Sequence, residues 1–320
     1  VRYYDNTRVE AYRDCPRKYF LRHIKGWVPN STAIALINGS AWHDAMDIVW
    51  GHAKDDISDR ELAQKSLQAY VDRWTKEGLP HPRDMTLEQQ DQYSPRGPHC
   101  AAEVLLNYVM QRRRFIKDGE VLAIERPFIV PLYDDNDKIL YIGRLDKVFR
   151  SRSEGEIVIE HKTTTQFYKT SGLRKSYLES FSPNSQVDGY GYAARFLYPG
   201  IRGIWIDISV FNKTVTDQFK FLPVDRQFAM LDGWLNETRN WIERIESERA
   251  SYATHGLKRA FPKNTSHCGS YGGCTYRDIC KFYTNPDSSE VPSGFKVDFW
   301  NPFDVLHLQQ LGLEPEKVDG

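Results

Sequence analysis

The chain has 320 residues, 40% hydrophobic and 13% aromatic, and its 43 Lys and Arg are balanced by 43 Asp and Glu. Zero net charge excludes indiscriminate coating of nucleic acid, though not a local basic groove. No run approaches the roughly 20 apolar residues that cross a bilayer, no signal-peptide pattern opens the chain, and a prior of about 150 residues per domain predicts a soluble, cytoplasmic protein of two domains or of one large α/β domain with insertions.

Residues 5–25 read as one helix, capped by Asn6 or Thr7, with Val9, Tyr12, Tyr19, Phe20 and Ile24 on its apolar face. Cys15-Pro16 falls in its middle, where a proline removes a hydrogen bond and kinks the helix. Gly39 to His43 opens a second helix running to about Ala53, with Trp42, Met46, Val49 and Trp50 inside. His43 could face a metal from there, although a lone helical histidine is more often an ordinary packed residue. An amphipathic helix spans 59–76. Residues 78–98, rich in proline, read as an insertion loop. A further helix spans 99–117 and ends in Arg112-Arg113-Arg114, a run that reads as a solvated face, with a phosphate contact as the alternative.

The sheet begins at Val121, with strands over 121–132 (containing Glu125), 138–150 and 156–163. The last two flank a turn at Ser151 to Gly155. Alternation places Glu160 and Lys162 on one face of the third strand, and Ile157, Ile159 and His161 on the other. If the hairpin pairs as its turn suggests, Asp146 lies beside Glu160, because neighbouring strands are about 4.8 Å apart. Two carboxylates so close repel each other. A hard divalent cation such as Mg²⁺ or Mn²⁺ relieves that, and an adjacent lysine can orient a water or stabilise developing negative charge. A surface hairpin with a salt bridge is the plainer reading of the same residues.

Residues 164–183 interleave basic and aromatic side chains (Phe167, Tyr168, Lys169, Arg174, Lys175, Tyr177) and suit a loop guiding single-stranded nucleic acid, or equally a flexible excursion. A helix over 184–198 sets Gln186 and Tyr190 one turn apart on one face. Strands over 202–211 and about 216–222 and a long helix over about 224–249 follow, then a basic loop at Lys258-Arg259. Of five cysteines, Cys268, Cys274 and Cys280 form a C-x5-C-x5-C pattern. Three clustered thiols cannot pair off, and thiolates select zinc or an iron–sulfur cluster. Cys15 is the expected fourth ligand, with His267 or Cys100 as replacements and zinc as the competing occupant. Cys100 otherwise reads as a buried apolar residue. Residues 284–320 read as mostly loop, with a short helix near 305–311.

Taken in order, Cys15-Pro16, Gly39-x-x-x-His43, Gly143-Arg-Leu-Asp146, Glu160-His161-Lys162, Gln186-x-x-x-Tyr190 and the three C-terminal cysteines resemble the RecB-like, iron–sulfur branch of the PD-(D/E)XK nucleases, over most of the chain. That branch includes CRISPR-associated, AddB-type and phage RecB-like nucleases. The resemblance implies a restriction-endonuclease-like fold: a central mixed sheet flanked by helices, with an N-terminal helical region and an Fe–S region joining both chain ends. It divides the chain into a helical region (1–120), a nuclease core (121–250), a cysteine region (251–283) and a tail (284–320). By the same resemblance His43, Asp146, Glu160 and the His161 carbonyl bind Mg²⁺ or Mn²⁺, and Lys162 is the catalytic lysine. Gln186 and Tyr190 position substrate, and Cys15, Cys268, Cys274 and Cys280 ligate a [4Fe–4S] cluster. Two departures stand out: Leu145 replaces the proline before Asp146, and the first cysteine spacing is wider than the C-x2-C more usual in the branch. The implied activity is a metal-dependent DNA exonuclease acting on single strands or free ends in a bacterial or phage-infected cell. The alternatives are a structure-specific endonuclease and a DNA-binding or end-processing subunit with recombination or CRISPR-adaptation partners.

Overall fold

The computed structural model describes residues 1–134, 138–283, 285–287, 290–299 and 301. In chain order the elements are β1 (Arg2–Tyr4), α1 (Asn6–Asp14), α2 (Pro16–Tyr19), a π-helical turn (Phe20–Ile24), β2 (Trp27–Pro29), α3 (Ile34–His52), α4 (Asp59–Lys76), α5 (Leu87–Tyr93) and α6 (Pro98–Asp118). There follow β3 (Glu120–Pro131), β4 (Ile139–Ser151), β5 (Gly155–Thr164), β6 (Phe167–Tyr168), β7 (Gly172–Leu173), α7 (Lys175–Glu179), α8 (Ser185–Leu197), β8 (Ile201–Val210), β9 (Phe219–Val224), α9 (Phe228–His255), α10 (Arg277–Phe282) and β10 (Phe295–Val297). The helix expected near 305–311 lies outside the described residues.

Several expectations are corrected. The helix over 5–25 is broken, not kinked: Cys15 is extended (φ −165°), ending α1, and Pro16 starts α2 at the position where a missing N–H is harmless. The cap of α1 is Asp5, which accepts the Arg8 N–H at 2.7 Å, rather than Asn6 or Thr7. The loop over 78–98 contains α5, closed by a reciprocal capping box between Thr86 and Gln89. None of its side chains is buried, so no apolar periodicity announced it. The excursion over 164–183 is a small hairpin (β6, β7) and a helix (α7).

The chain forms two compact units. The first contains Val1–Ser31, Pro127–Gly143 and the described residues from Phe228 onward. Within it β1 pairs in parallel with the start of β4, β2 pairs antiparallel with β10, and Phe261 stacks on Tyr19 and packs tilted against Phe20, with ring centroids 5.9 and 5.5 Å away.

The second unit, Thr32–Arg126 and Arg144–Gln227, carries the mixed ladder β4-β5-β8-β9. β4 and β5 are antiparallel, β5 and β8 parallel, β8 and β9 antiparallel. One face is covered by α3, α4 and α6, whose Trp42, Trp50, Tyr70, Trp74 and Tyr108 are buried against Phe149, Ile157 and Ile159. This is the alternation read from β5, with the apolar residues turned into the helical layer. The arginine run on α6 is not a solvated face at Arg113, which is buried and donates to the carbonyls of Ala53, Asp55 and Ile57 and to Asp59, all at 2.7–2.8 Å. It clamps the connection between α3 and α4.

Candidate active site

The site forms where two strands part. The β4–β5 ladder ends at Lys147↔Ile159, while β5 stays paired with β8 as far as Thr164↔Val210. Just past the divergence the His161 N–H has no strand partner on β4 and donates instead to Asp146 Oδ2 at 2.8 Å. This fixes the carboxylate and satisfies a buried donor with one bond. Asp146 and Glu160 are therefore neighbours on one face, as the hairpin register implied.

Around them the structure gathers the residues expected from sequence. His43, on α3, brings Nδ1 to 3.3 Å from Asp146 Oδ2. Lys162 Nζ donates to Glu160 Oε1 at 2.7 Å and to Gln186 Oε1 at 3.0 Å. Gln186 Nε2 in turn contacts Glu160 Oε1 at 3.3 Å and Tyr190 OH at 3.2 Å. Asn184 caps α8 by accepting the Val187 N–H, and nearly buried Arg226 ties Asp188 to the Phe181 carbonyl, which fixes the helix that presents Gln186. The His161 imidazole points away from this cluster, as the alternation requires. It is fully buried, with Nδ1 3.3 Å from Asp207 Oδ2. Asp207 also accepts from Tyr108 OH at 2.5 Å, and Tyr108 OH accepts the Trp50 indole N–H at 3.0 Å.

Two further residues were missed. Glu125 on β3 offers a carboxylate oxygen that, with atoms of His43 and Asp146, makes a group lying within 4.8 Å of one another. Its φ is +50°, the left-handed region that non-glycine residues rarely adopt. That conformation turns the carboxylate in a way regular alternation does not anticipate. Lys147 is completely buried, 2.6 Å from Asp47 Oδ1 and 4.0 Å from Glu125 Oε1. A lysine on the inward face of an otherwise apolar strand was the available signal, since such a charge needs a buried partner.

The electrostatics follow from crowding. Burial and then the Asp146 charge push Glu160 up to about 7, against the pull of Lys162 and His43. Glu125 rises to about 7 for the same two reasons, with Lys147 and Arg144 opposing. Burial would raise Asp146 too, but His43, Lys147 and His161 hold it well below the usual carboxylate range. Burial alone would lower His43 and Lys162. The neighbouring carboxylates outweigh it and raise both. The donors are imidazole nitrogen and carboxylate oxygen, and Glu160 Oε2 and Glu125 Oε1 are buried with no hydrogen-bond partner among the described residues. Hard carboxylate oxygens, surplus negative charge and unsatisfied oxygens fit a divalent cation of the Mg²⁺ or Mn²⁺ type, with the imidazole as a borderline donor.

In the first unit, Cys15, Cys268, Cys274 and Cys280 line one cavity of about 150 Å³, together with Lys18, Lys263 and His267. All four are free thiols and partly buried. Cys15 Sγ accepts the Asn264 N–H at 3.2 Å. Burial raises the Cys274 and Cys280 thiols, while Lys18 pulls on the first and Lys263 and Arg17 on the second. Cys100 belongs to the second unit, where its sulfur lies 3.6 Å from Ser94 Oγ.

Among solved structures, the chain is similar to a candidate exonuclease from Eubacterium rectale, with 11% identity, 80% of this chain and 83% of that one covered, and a TM-score of 0.45. It is also similar to an alkaline exonuclease from Laribacter hongkongensis (12% identity, 68% and 98% covered, TM-score 0.30) and to the same enzyme in complex with dAMP (12%, 68% and 96%, TM-score 0.28). No curated protein matches significantly. The sequence profile of the PD-(D/E)XK nuclease superfamily matches residues 6–281, spanning both carboxylates, the lysine and all four clustered cysteines. The chain belongs to the PD-(D/E)XK nuclease superfamily.

Proposed function

We propose that this nuclease is a Mg²⁺- or Mn²⁺-dependent DNA exonuclease of the RecB-like, iron–sulfur branch. The observation that carries the reading is the convergence of His43, Glu125 and Asp146 within 4.8 Å, with Asp146 tied to β5 beside the Glu160–Lys162 pair. His43, Asp146 and Glu160 would hold the cation, and Glu125 adds a fourth donor. The bound cation would supply Lewis-acid activation of water and of the phosphodiester. Asp146 stays ionised and is held in place by the His161 N–H. Lys162, kept protonated by Glu160 and Asp146, faces the negative charge that develops on the phosphoryl oxygens. Gln186 also accepts from the lysine amine, and Tyr190 braces the Gln186 amide.

In the same proposal, Cys15, Cys268, Cys274 and Cys280 hold a [4Fe–4S] cluster with a structural role. Zinc is the competitor, with His267 an available substitute ligand. Iron is recognised by a visible charge-transfer band that zinc cannot give.

The deciding assay uses end-labelled linear DNA and circular single-stranded DNA, each with Mg²⁺, with Mn²⁺ and with chelator. An exonuclease degrades the linear substrate, spares the circle and stops on chelation. Cutting of the circle replaces this reading with an endonuclease. Digestion that survives in Asp146→Ala removes the site assignment.

A further inference from the structure

The segment leaving the lysine-bearing strand is built, not slack. Gln166 N–H donates to Thr164 Oγ1 at 3.0 Å, Arg174 N–H to the Gln166 carbonyl at 3.0 Å, and the Arg96 guanidinium to Thr165 Oγ1 at 3.2 Å. Between these anchors β6 and β7 pair Phe167 with Leu173 and Tyr168 with Gly172. Gly172 has φ +74°, so the tight return needs glycine there. Phe167 and Leu173 are partly buried, but Tyr168 is 47% exposed, and the Arg174 guanidinium lies 5.3 Å from its ring centroid. An exposed tyrosine braced by an arginine does nothing for a hydrophobic core. It leaves aromatic surface open to solvent beside a planar cation.

The charge pattern is consistent with this. Lys169, Arg174 and Lys175 stand against Glu179 between residues 165 and 182, in a chain whose net charge is zero. Lys175 reaches Glu179 at 3.4 Å but is 89% exposed. α7 then carries Tyr177 to the neighbourhood of the Lys162 ammonium. Tyr168 follows Lys162 by six positions, so strand rise keeps their Cα atoms within about 20 Å of each other.

We propose that the tip of the β6–β7 hairpin is a base-stacking platform for an unpaired DNA strand: Tyr168 and Arg174 receive a nucleobase, and Lys169 and Lys175 meet the flanking phosphates. The inference rests on the nuclease reading of the neighbouring site and specifies the strand form it takes. Stacking on an aromatic face is indifferent to base identity, but it requires a base whose own face is free, as in a single strand and not inside a duplex. The hairpin therefore favours single-stranded ends.

The test uses the full chain in two assays. In Ca²⁺, a short single strand carrying a fluorescent aminopurine is titrated with protein, and the expected result is quenching in the wild type and in Tyr168→Trp but not in Tyr168→Ala. In Mg²⁺ or Mn²⁺, Tyr168→Ala should raise KM for single-stranded DNA about tenfold, the loss falling on KM rather than kcat, while KM for blunt duplex ends moves little. Unchanged quenching and KM in Tyr168→Ala would overturn the platform, and so would equal KM increases on single strands and duplexes. Should the wild type digest neither substrate, the nuclease reading fails, and the quenching assay still decides whether the hairpin binds unpaired bases.

Discussion

Glu160 is an enclosed carboxylate with one oxygen shared by Lys162 and Gln186 and the other without a hydrogen-bond donor among the described residues. Its elevation to about 7 has a definite consequence for pH. A carboxyl raised in the folded state favours the protonated fold, so its contribution to stability falls as pH climbs from the ordinary value through about 7. His43 acts in the same direction, because a raised imidazole stabilises below its unfolded value and loses that contribution as pH rises. The metal-free protein should therefore be less stable at pH 8 than at pH 6, by about 1 kcal/mol of unfolding free energy for each such carboxyl, and its Tm correspondingly lower. Glu160→Gln should flatten that slope, and Mg²⁺ should raise Tm more at pH 8 than at pH 6. Scanning calorimetry with and without the ion checks both.

The proposed activity depends on the charge beside Glu160. Lys162→Gln keeps the bulk but removes the charge. It should cost at least about a hundredfold in kcat, with far-ultraviolet dichroism unchanged. Asp146, Glu160 and Lys162 were legible in the sequence because strand alternation and a short turn determine which residues meet. Glu125 and Lys147 were not. One depends on a left-handed backbone angle and the other on a partner, Asp47, a hundred residues away in the chain.

Among the elements, α6 shows how a surface-looking motif becomes interior. Arg112 contacts Asp207 at 3.4 Å and stacks on Phe221, while Arg113 fills the turn after α3. Arg113→Ala would leave three carbonyls and a carboxylate without their donor, a loss of about 3 kcal/mol in chemical unfolding with the m-value unchanged. A result below about 0.5 kcal/mol would mean that water replaces the guanidinium. Three arginines in a row look alike in sequence; which one turns inward depends on the helix's rotation against its neighbours. The break at Cys15 was harder still to read. Proline is equally compatible with a kink or with a fresh helix start, and the choice depends on the extended φ of the residue before it.

For the whole molecule, the mixed sheet and its helical layers follow from periodicities visible in the chain, whereas the division into two units does not. The first unit is assembled from stretches separated by more than eighty residues, and local pattern carries no information about such pairings. The cysteine pocket links positions 15 and 268 to 280, so a metal centre there would close a very long loop and restrict the unfolded chain. Cys15→Ser should abolish the visible absorbance and lower Tm by about 5 °C or more. A full retention of both would remove the metallocentre from the architecture.

The first unit needs residues from the start of the chain and from beyond Phe228, so it cannot be completed until most of the polypeptide has left the ribosome. The four thiols are assembled later still, when Cys280 emerges. Insertion of a prosthetic group there would act as a checkpoint on translation: a prematurely terminated product keeps both carboxylates and the lysine yet never acquires the centre.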